Sequence, residues 1–290
     1  MKAAEIAIEA VAARLRGAGC VFAEDEAELL IEAASADGGP TDGRPTDGGP
    51  AGGRPADGRL VAASAARLEE LVARRCGGEP LEQVVGWAAF CGVRIEVGPG
   101  VFVPRRRSEF LVETALATGP DAAVVLDLCC GVAPFATALA VRLPAAEIHA
   151  ADIDPTQTVY ARRNLAPFGG RARVYEGDLY SPLPGRLRRT VDLLVVNAPY
   201  VPTSAIATLP AEARAYEPIT SLDGGSDGLD LHRRIAAGAP EWLAPGGHVL
   251  IETSDEQADT AVAAFRHAGL DVSVVEDDDL EATVVVGRQP

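Results

Sequence analysis

The sequence predicts an α/β fold: a doubly wound, mostly parallel sheet preceded by a small helical domain. Three observations lead there. From residue 121 onward, short apolar runs alternate with helical patterns, as strand–helix–strand units do. The run V-D-L-L-V-V at 191–196 is apolar enough to be buried on both faces, as a central parallel strand is. Before residue 80 the apolar positions follow a helical spacing instead.

The elements follow in order. Residues 2–34 read as helices: Ile6, Ile8, Val11 and Leu15 begin an apolar face, Gly17 and Gly19 break it, and Leu29, Leu30 and Ile31 resume it. Residues 37–59 repeat a five-residue unit, D-G-G-P-T then D-G-R-P-T, with no apolar side chain larger than Ala or Pro. Such a tract cannot offset the entropy of ordering and reads as a flexible Gly/Pro-rich insertion. Helical character returns over 60–75, so residues 1–80 form one helical domain carrying the insertion. Residues 81–104 read as a hairpin linker, with strands at 83–85 and 93–97 between glycines. Ser108 is expected to cap a helix over 109–117, with Glu109 in its first turn. In the larger domain, 105–290, strands are expected at 123–128, 147–151, 173–176, 191–196, 248–252, 271–275 and 283–286. Helices are expected at 134–142, 155–166, 228–242 and 255–267. The acidic run 276–281 is too short for a helical crossover, so the last two strands should pair antiparallel.

Composition narrows the partners. Lys+Arg 26 against Asp+Glu 42 gives a net charge of −16, and Lys2 is the only lysine. That balance argues against general nucleic-acid binding, which needs a basic footprint, although Arg105, Arg106 and Arg107 form a local cluster. No apolar stretch reaches the length of a membrane span, and the N-terminus lacks a signal-peptide core. Five cysteines, odd in number and without metal spacing, read as reduced thiols. A cytoplasmic protein with no metal and no membrane partner is expected.

Candidate site residues gather at strand ends. After 191–196 come Asn197, Ala198, Pro199 and Tyr200, then Pro202; the prolines end the ladder and stiffen the loop. A carboxamide and an aromatic at the carboxyl end of a central strand can hold a planar hydrogen-bonding group. On this stretch alone, an Asx-capped strand end with Tyr200 merely packing is an equal reading. After the first strand of the sheet, D-L-C-C-G-V-A-P at 127–134 makes a turn of small residues before a helix. Asp127, Cys129, Cys130, Gly131, Val132 and Ala133 are candidates to approach a ligand there, with Gly131 alone free to adopt positive φ. The vicinal cysteines read as small packing residues. Asp152, with Ile153 behind it, ends the next strand and can accept both hydroxyls of a ribose. Asp178 and Leu179 follow the third strand, where a carboxylate suits an adenine amino group. Each acid alone could be a helix cap or a solvated turn; three successive tips beside a glycine turn make a nucleoside site the better joint reading. A full G-x-G-x-x-G is missing, which disfavours a dinucleotide pyrophosphate. S-adenosyl-L-methionine, adenosyl without phosphates, fits better.

These residues carry a resemblance. G-E-P-L at 78–81 with Gly86 and Phe90, V-F-V-P-R at 101–105 with Glu109, V-L-D-L at 125–128, A-D at 151–152 and N-A-P-Y at 197–200 resemble the HemK/PrmC family of protein-(glutamine) methyltransferases. E-P at 217–218, L-D-G-G-S-D-G at 222–228 and the segment 243–252 extend it. The resemblance implies a Rossmann-like class I methyltransferase sheet of seven strands, the seventh antiparallel, with the helical domain docking substrate. It implies S-adenosylmethionine as cofactor and transfer of a methyl group to a glutamine side-chain amide nitrogen in a protein, a peptide chain release factor being the family's usual target. Asn197 and the Ala198 carbonyl would accept the two N–H groups of that amide, with Pro199 and Tyr200 shaping the pocket. A different amide- or amine-bearing substrate, or a non-catalytic descendant, is the alternative. The chain departs from the family pattern at the cofactor loop, where Gly131 is the one glycine kept of three. It departs also at Ala198, which stands for a proline, at Leu179, which stands for an aromatic, and at Arg106 and Arg107, which stand for Pro-Glu or Pro-Asp. Ala133 is expected to place a methyl group where backbone and cofactor nearly touch.

Overall fold

A computed structural model describes residues 3–35 and 62–290. The insertion expected over 37–59 lies outside the described residues. Helices α1 (Ala3–Gly17), α2 (Ala23–Ser35) and α3 (Ala62–Cys76) bury Leu15, Leu30, Leu71 and Val72 against one another. A short α4 (Leu81–Val85) follows, and here the expected strand at 83–85 is corrected. Pro80 suits the start of a helical turn, and Gly86 stops it in the left-handed region at φ 88°. The β-branched pair Val84–Val85 suggests a strand locally, but the turn buries Gln83, whose Nε2 donates to the Val101 carbonyl at 2.9 Å. The hairpin begins later, with β1 (Trp87–Phe90) antiparallel to β2 (Val93–Glu96).

A 3-10 turn, Arg106–Ser108, leads into α5 (Glu109–Thr118). Ser108 makes no capping bond to this helix; its hydroxyl accepts a hydrogen bond from Asn197 instead. Glu109 accepts from the Cys91 backbone N–H at 2.8 Å, fastening the hairpin to the sheet domain.

The chain continues as β3 (Val124–Leu128), α6 (Pro134–Arg142), β4 (Glu147–Asp152), α7 (Pro155–Leu165), β5 (Ala172–Glu176) and β6 (Val191–Val196). Then come α8 (Ala211–Tyr216), α9 (Asp230–Trp242), β7 (Leu243–Thr253), α10 (Asp255–His267), β8 (Asp271–Asp277) and β9 (Ala282–Arg288). The sheet order is β5-β4-β3-β6-β7-β9-β8, parallel except for β9, which runs antiparallel to both neighbours. The expected seven-stranded sheet with its antiparallel seventh strand is therefore present. One apolar layer packs Val125, Ile148 and Val195 beneath α5, α6 and α7; the other packs Leu126, Leu194 and Val249 beneath α9 and α10. The chain leaves β3 for β4 on one side and later for β6 on the other. That reversal opens a crevice at the carboxyl ends of these strands.

Candidate active site

The crevice is a cavity of about 880 Å³ that runs from Asp152 and Asp178 at one end to Asn197, Tyr200 and Glu252 at the other. Its two ends are built differently.

At the first end the loop after β3 turns on three left-handed residues, Cys129 (φ 55°), Gly131 (φ 55°) and Ala133 (φ 62°). Only Gly131 was expected to do so. The short path from a buried strand into α6 imposes the shape on the other two. Asp152 organises the loop: its Oδ2 accepts from the Gly131 N–H at 2.8 Å and its Oδ1 from the Asp154 N–H at 2.9 Å. Burial raises the Asp152 pKa, against the pull of these N–H donors. Asp127 lies fully buried behind the cavity wall, where its Oδ2 accepts from the Ala136 N–H at 3.0 Å and so fixes the start of α6. Burial raises its pKa well above the usual carboxylate range. Ala133 is also buried off that wall, so its methyl group does not narrow the cavity as expected. Val132 and Cys130 line only a small recess beside it. Cys129, Gly131, Ile153, Asp178 and Leu179 do line the main cavity, and Ile153 is 62% exposed there, an apolar surface for a flat ring. Asp178 shares its carboxylate with Arg234, 2.6 Å away. Burial and the neighbouring Asp152 carboxylate push the thiols of Cys129 and Cys130 well up, which makes them poor nucleophiles.

Gln157, which the sequence reading missed, completes this end. It is 2% exposed, lines the cavity, and its Nε2 donates to Ser221 Oγ at 3.2 Å. Its Oε1 has no hydrogen-bond partner. A cavity of this size with an apolar flank, two acidic tips and an unpartnered buried acceptor fits an adenosyl group with hydroxyl and amino donors.

The second end is set by adjacent strands. Val196 and Ile251 are register partners in β6 and β7, so the residues that follow them, Asn197 and Glu252, stand side by side. Asn197 Nδ2 donates to Glu252 Oε2 at 3.3 Å and to Ser108 Oγ at 3.2 Å. The Tyr200 hydroxyl donates to Glu252 Oε1 at 3.2 Å and accepts from Arg107 Nη2 at 2.6 Å. Burial first, then the Glu252 carboxylate, push the Tyr200 pKa up to about 12, so it stays a neutral phenol. Ala198 and Pro199 line the cavity beside them. The sequence marks neither Glu252 nor Ser108 as a site residue: Glu252 is only the last residue of the segment 243–252, and Ser108 reads as a helix cap.

The loop is held from behind by the glycine-rich segment 222–228. Val201 N–H donates to the Leu222 carbonyl at 3.0 Å and Gly224 N–H to the Val201 carbonyl at 2.9 Å. A Cβ on Gly228 would come within 2.2 Å of the Tyr200 carbonyl oxygen, so only glycine permits this approach. Nearby, Glu217 is buried and pairs with Arg105, which lines the cavity.

Known proteins share this architecture. Residues 92–213 match a family described as "Methyltransferase small domain". The chain is 42% identical to the release factor glutamine methyltransferase of Geobacter sulfurreducens over 75% of its own length and 76% of that protein. It is 36% identical to a 4-amino-L-phenylalanine/4-methylamino-L-phenylalanine methyltransferase of Streptomyces pristinaespiralis, over 70% of each chain. A methyltransferase structure from Pyrococcus furiosus superposes with a TM-score of 0.53 at 17% identity, covering 79% of this chain and 99% of that one, and supports the fold. Among the described residues no helix is long and apolar enough to cross a membrane. On the strength of its identity to curated relatives over three quarters of its length, the chain belongs to the HemK/PrmC release factor glutamine methyltransferase family.

Proposed function

We propose that the protein transfers a methyl group from S-adenosylmethionine to the side-chain amide nitrogen of a glutamine in a peptide chain release factor, in the cytoplasm. The observation that carries this reading is the setting of Asn197. Both hydrogens of its Nδ2 are committed to Ser108 and Glu252, which leaves Oδ1 to accept beside the adjacent Ala198 carbonyl at this end of the cavity.

An amide nitrogen is a poor nucleophile because its lone pair is delocalised into the carbonyl. Two fixed acceptors can take its two N–H groups, rotate its lone pair toward an electrophile, and favour loss of a proton as the new bond forms. The cofactor, when bound, supplies a methyl carbon made electrophilic by the sulfonium. Asp152 would hold the ribose, Ile153 and Leu179 would flank the adenine, and Gln157 Oε1 would accept from a cofactor hydroxyl or amino group. Tyr200 shapes the acceptor pocket as a neutral phenol and takes no proton. Cys129 and Cys130 play no part as nucleophiles.

The test is Asn197→Ala. Turnover is expected to fall below detection, while calorimetric titration with S-adenosylmethionine and the melting temperature stay close to those of the parent. Methylation that survives in this variant would remove the amide-clamping role. The similarity to the Streptomyces relative, together with the Arg107 guanidinium in the acceptor end, favours a second reading: a free amino acid bearing an aromatic amine. Side-by-side assays on a release factor and on 4-amino-L-phenylalanine separate the two.

A further inference from the structure

Glu252 is 3% exposed, yet three donors from two parts of the chain, the loop after β6 and the turn before α5, converge on its carboxylate. They are Asn197 Nδ2 on Oε2 at 3.3 Å, and the Tyr200 hydroxyl at 3.2 Å and Arg107 Nε at 3.4 Å on Oε1. Arg107 has no acceptor atom, so it can meet Glu252 Oε1 only as a donor, and the two form an ion pair.

The consequence falls on Asn197. A carboxamide presents an oxygen on one side and an NH2 of almost the same size on the other, and only one orientation suits an amide substrate. With the oxygen toward the cavity, Asn197 accepts from the substrate N–H. Flipped, it presents its own N–H to that N–H, donor against donor. Ser108 cannot choose between these orientations, because a hydroxyl both donates and accepts. Glu252 can, because a carboxylate only accepts.

We propose that Glu252 is the positioning residue that forbids the flipped Asn197 carboxamide and keeps Oδ1 on the substrate side. Through the same carboxylate it ties down Tyr200, and Arg107 closes the network by donating to both Glu252 and Tyr200. The adjacency of β6 and β7 makes this possible: the acid and the amide it governs directly follow the paired residues Ile251 and Val196. The proposal rests on the amide-acceptor reading above and adds to it the group that sets the acceptor's orientation.

Two substitutions separate orientation from packing. Glu252→Gln keeps the size but supplies an NH2 as well as an oxygen, so the flipped Asn197 is no longer penalised. Glu252→Asp packs worse but still only accepts. On a recombinant bacterial release factor, Glu252→Gln is expected to lower kcat on the order of 100-fold, with KM and the S-adenosylmethionine Kd within about 3-fold of the parent. Glu252→Asp is expected to be the more active of the two, although it melts lower. A merely structural role gives the reverse order of activity. Glu252→Gln within about 3-fold of parental kcat, or more active than Glu252→Asp, would overturn the proposal.

A second readout needs no turnover. The Asn197 side-chain NH2 protons, assigned by their loss in Asn197→Asp, should exchange slowly with solvent in the parent and faster in Glu252→Gln. Unchanged exchange would also sink the orienting role. A parent protein inactive on the release factor would instead contradict the substrate reading, and the exchange measurement would still judge Glu252.

Discussion

Cys129 and Ala133 hold a backbone shape that side chains disfavour, with φ of 55° and 62° on either side of Gly131. The left-handed region costs a non-glycine residue about 1–2 kcal/mol. Ala133→Gly relieves that strain but loses a buried methyl group worth about 0.8 kcal/mol. It also adds about 0.5–1 kcal/mol of unfolded-chain entropy to be overcome. The terms nearly cancel, so the melting temperature should move by less than about 4 °C. Ala133→Val puts a β-branched side chain into the same shape within a packed loop and should cost about 2–4 kcal/mol. Thermal denaturation of the two variants checks both. At this scale Asp152 and Asn197 were legible, because each is a polar residue that abruptly ends an apolar run. Glu252 also ends such a run, but the acid there reads as an ordinary solvated strand end until β6 is placed beside it. Ser108 was misread because a serine before a helix has a local use as a cap. Asn197, 89 residues away, takes its hydroxyl instead.

Helix α9 docks on β7 through His232, which is fully buried and whose Nε2 lies 3.1 Å from the Glu252 backbone carbonyl. Burial pulls its pKa from 6.5 down to about 4, so the native imidazole stays neutral while the unfolded one charges. Between those two values the unfolded chain binds more protons, and the contribution of His232 to stability falls as pH falls. His149, buried on β4, follows the same direction, also to about 4. Asp127, Asp152 and Glu217, whose pKa values burial raises, contribute with the opposite sign above the usual carboxylate range. A substitution isolates one group from that sum. The destabilisation caused by His232→Gln should be largest near pH 7 and shrink toward pH 4, read by denaturant unfolding at a series of pH values. A gap independent of pH would mean that this imidazole is not buried neutral. The sheet was legible at this scale because doubly buried strands and amphipathic helices have distinct periods. The short α4 was not, since five residues carry too little period to outweigh two adjacent valines.

Arg75, Gln83 and Tyr216 tie the N-terminal helices to the segment that carries α8. Arg75 on α3 pairs with Glu26 on α2 at 2.7 Å and reaches Glu212 on α8 at 3.4 Å. The Tyr216 hydroxyl donates to the Gly77 carbonyl at 3.1 Å, and Gln83 Nε2 to the Tyr216 carbonyl at 3.3 Å. With 12% and 9% of their side chains exposed, Arg75 and Glu26 form a nearly dry pair. Removing one partner strands the other charge, so Arg75→Ala should cost about 3 kcal/mol and lower the denaturation midpoint accordingly. None of this joint was legible in the sequence, because arginines and glutamates in helices ordinarily face water. Helix α8 places Glu212 and Ala213 in the cavity wall, so the joint also bears on the site. The decisive measurement is methyl transfer itself. Purified protein is incubated with S-adenosylmethionine and a bacterial release factor, and the modified residue is mapped by mass spectrometry. One methyl group on a glutamine side chain, absent with Asn197→Ala, is the predicted result. No transfer from well-folded protein that binds the cofactor, or transfer to a different kind of residue, would contradict it.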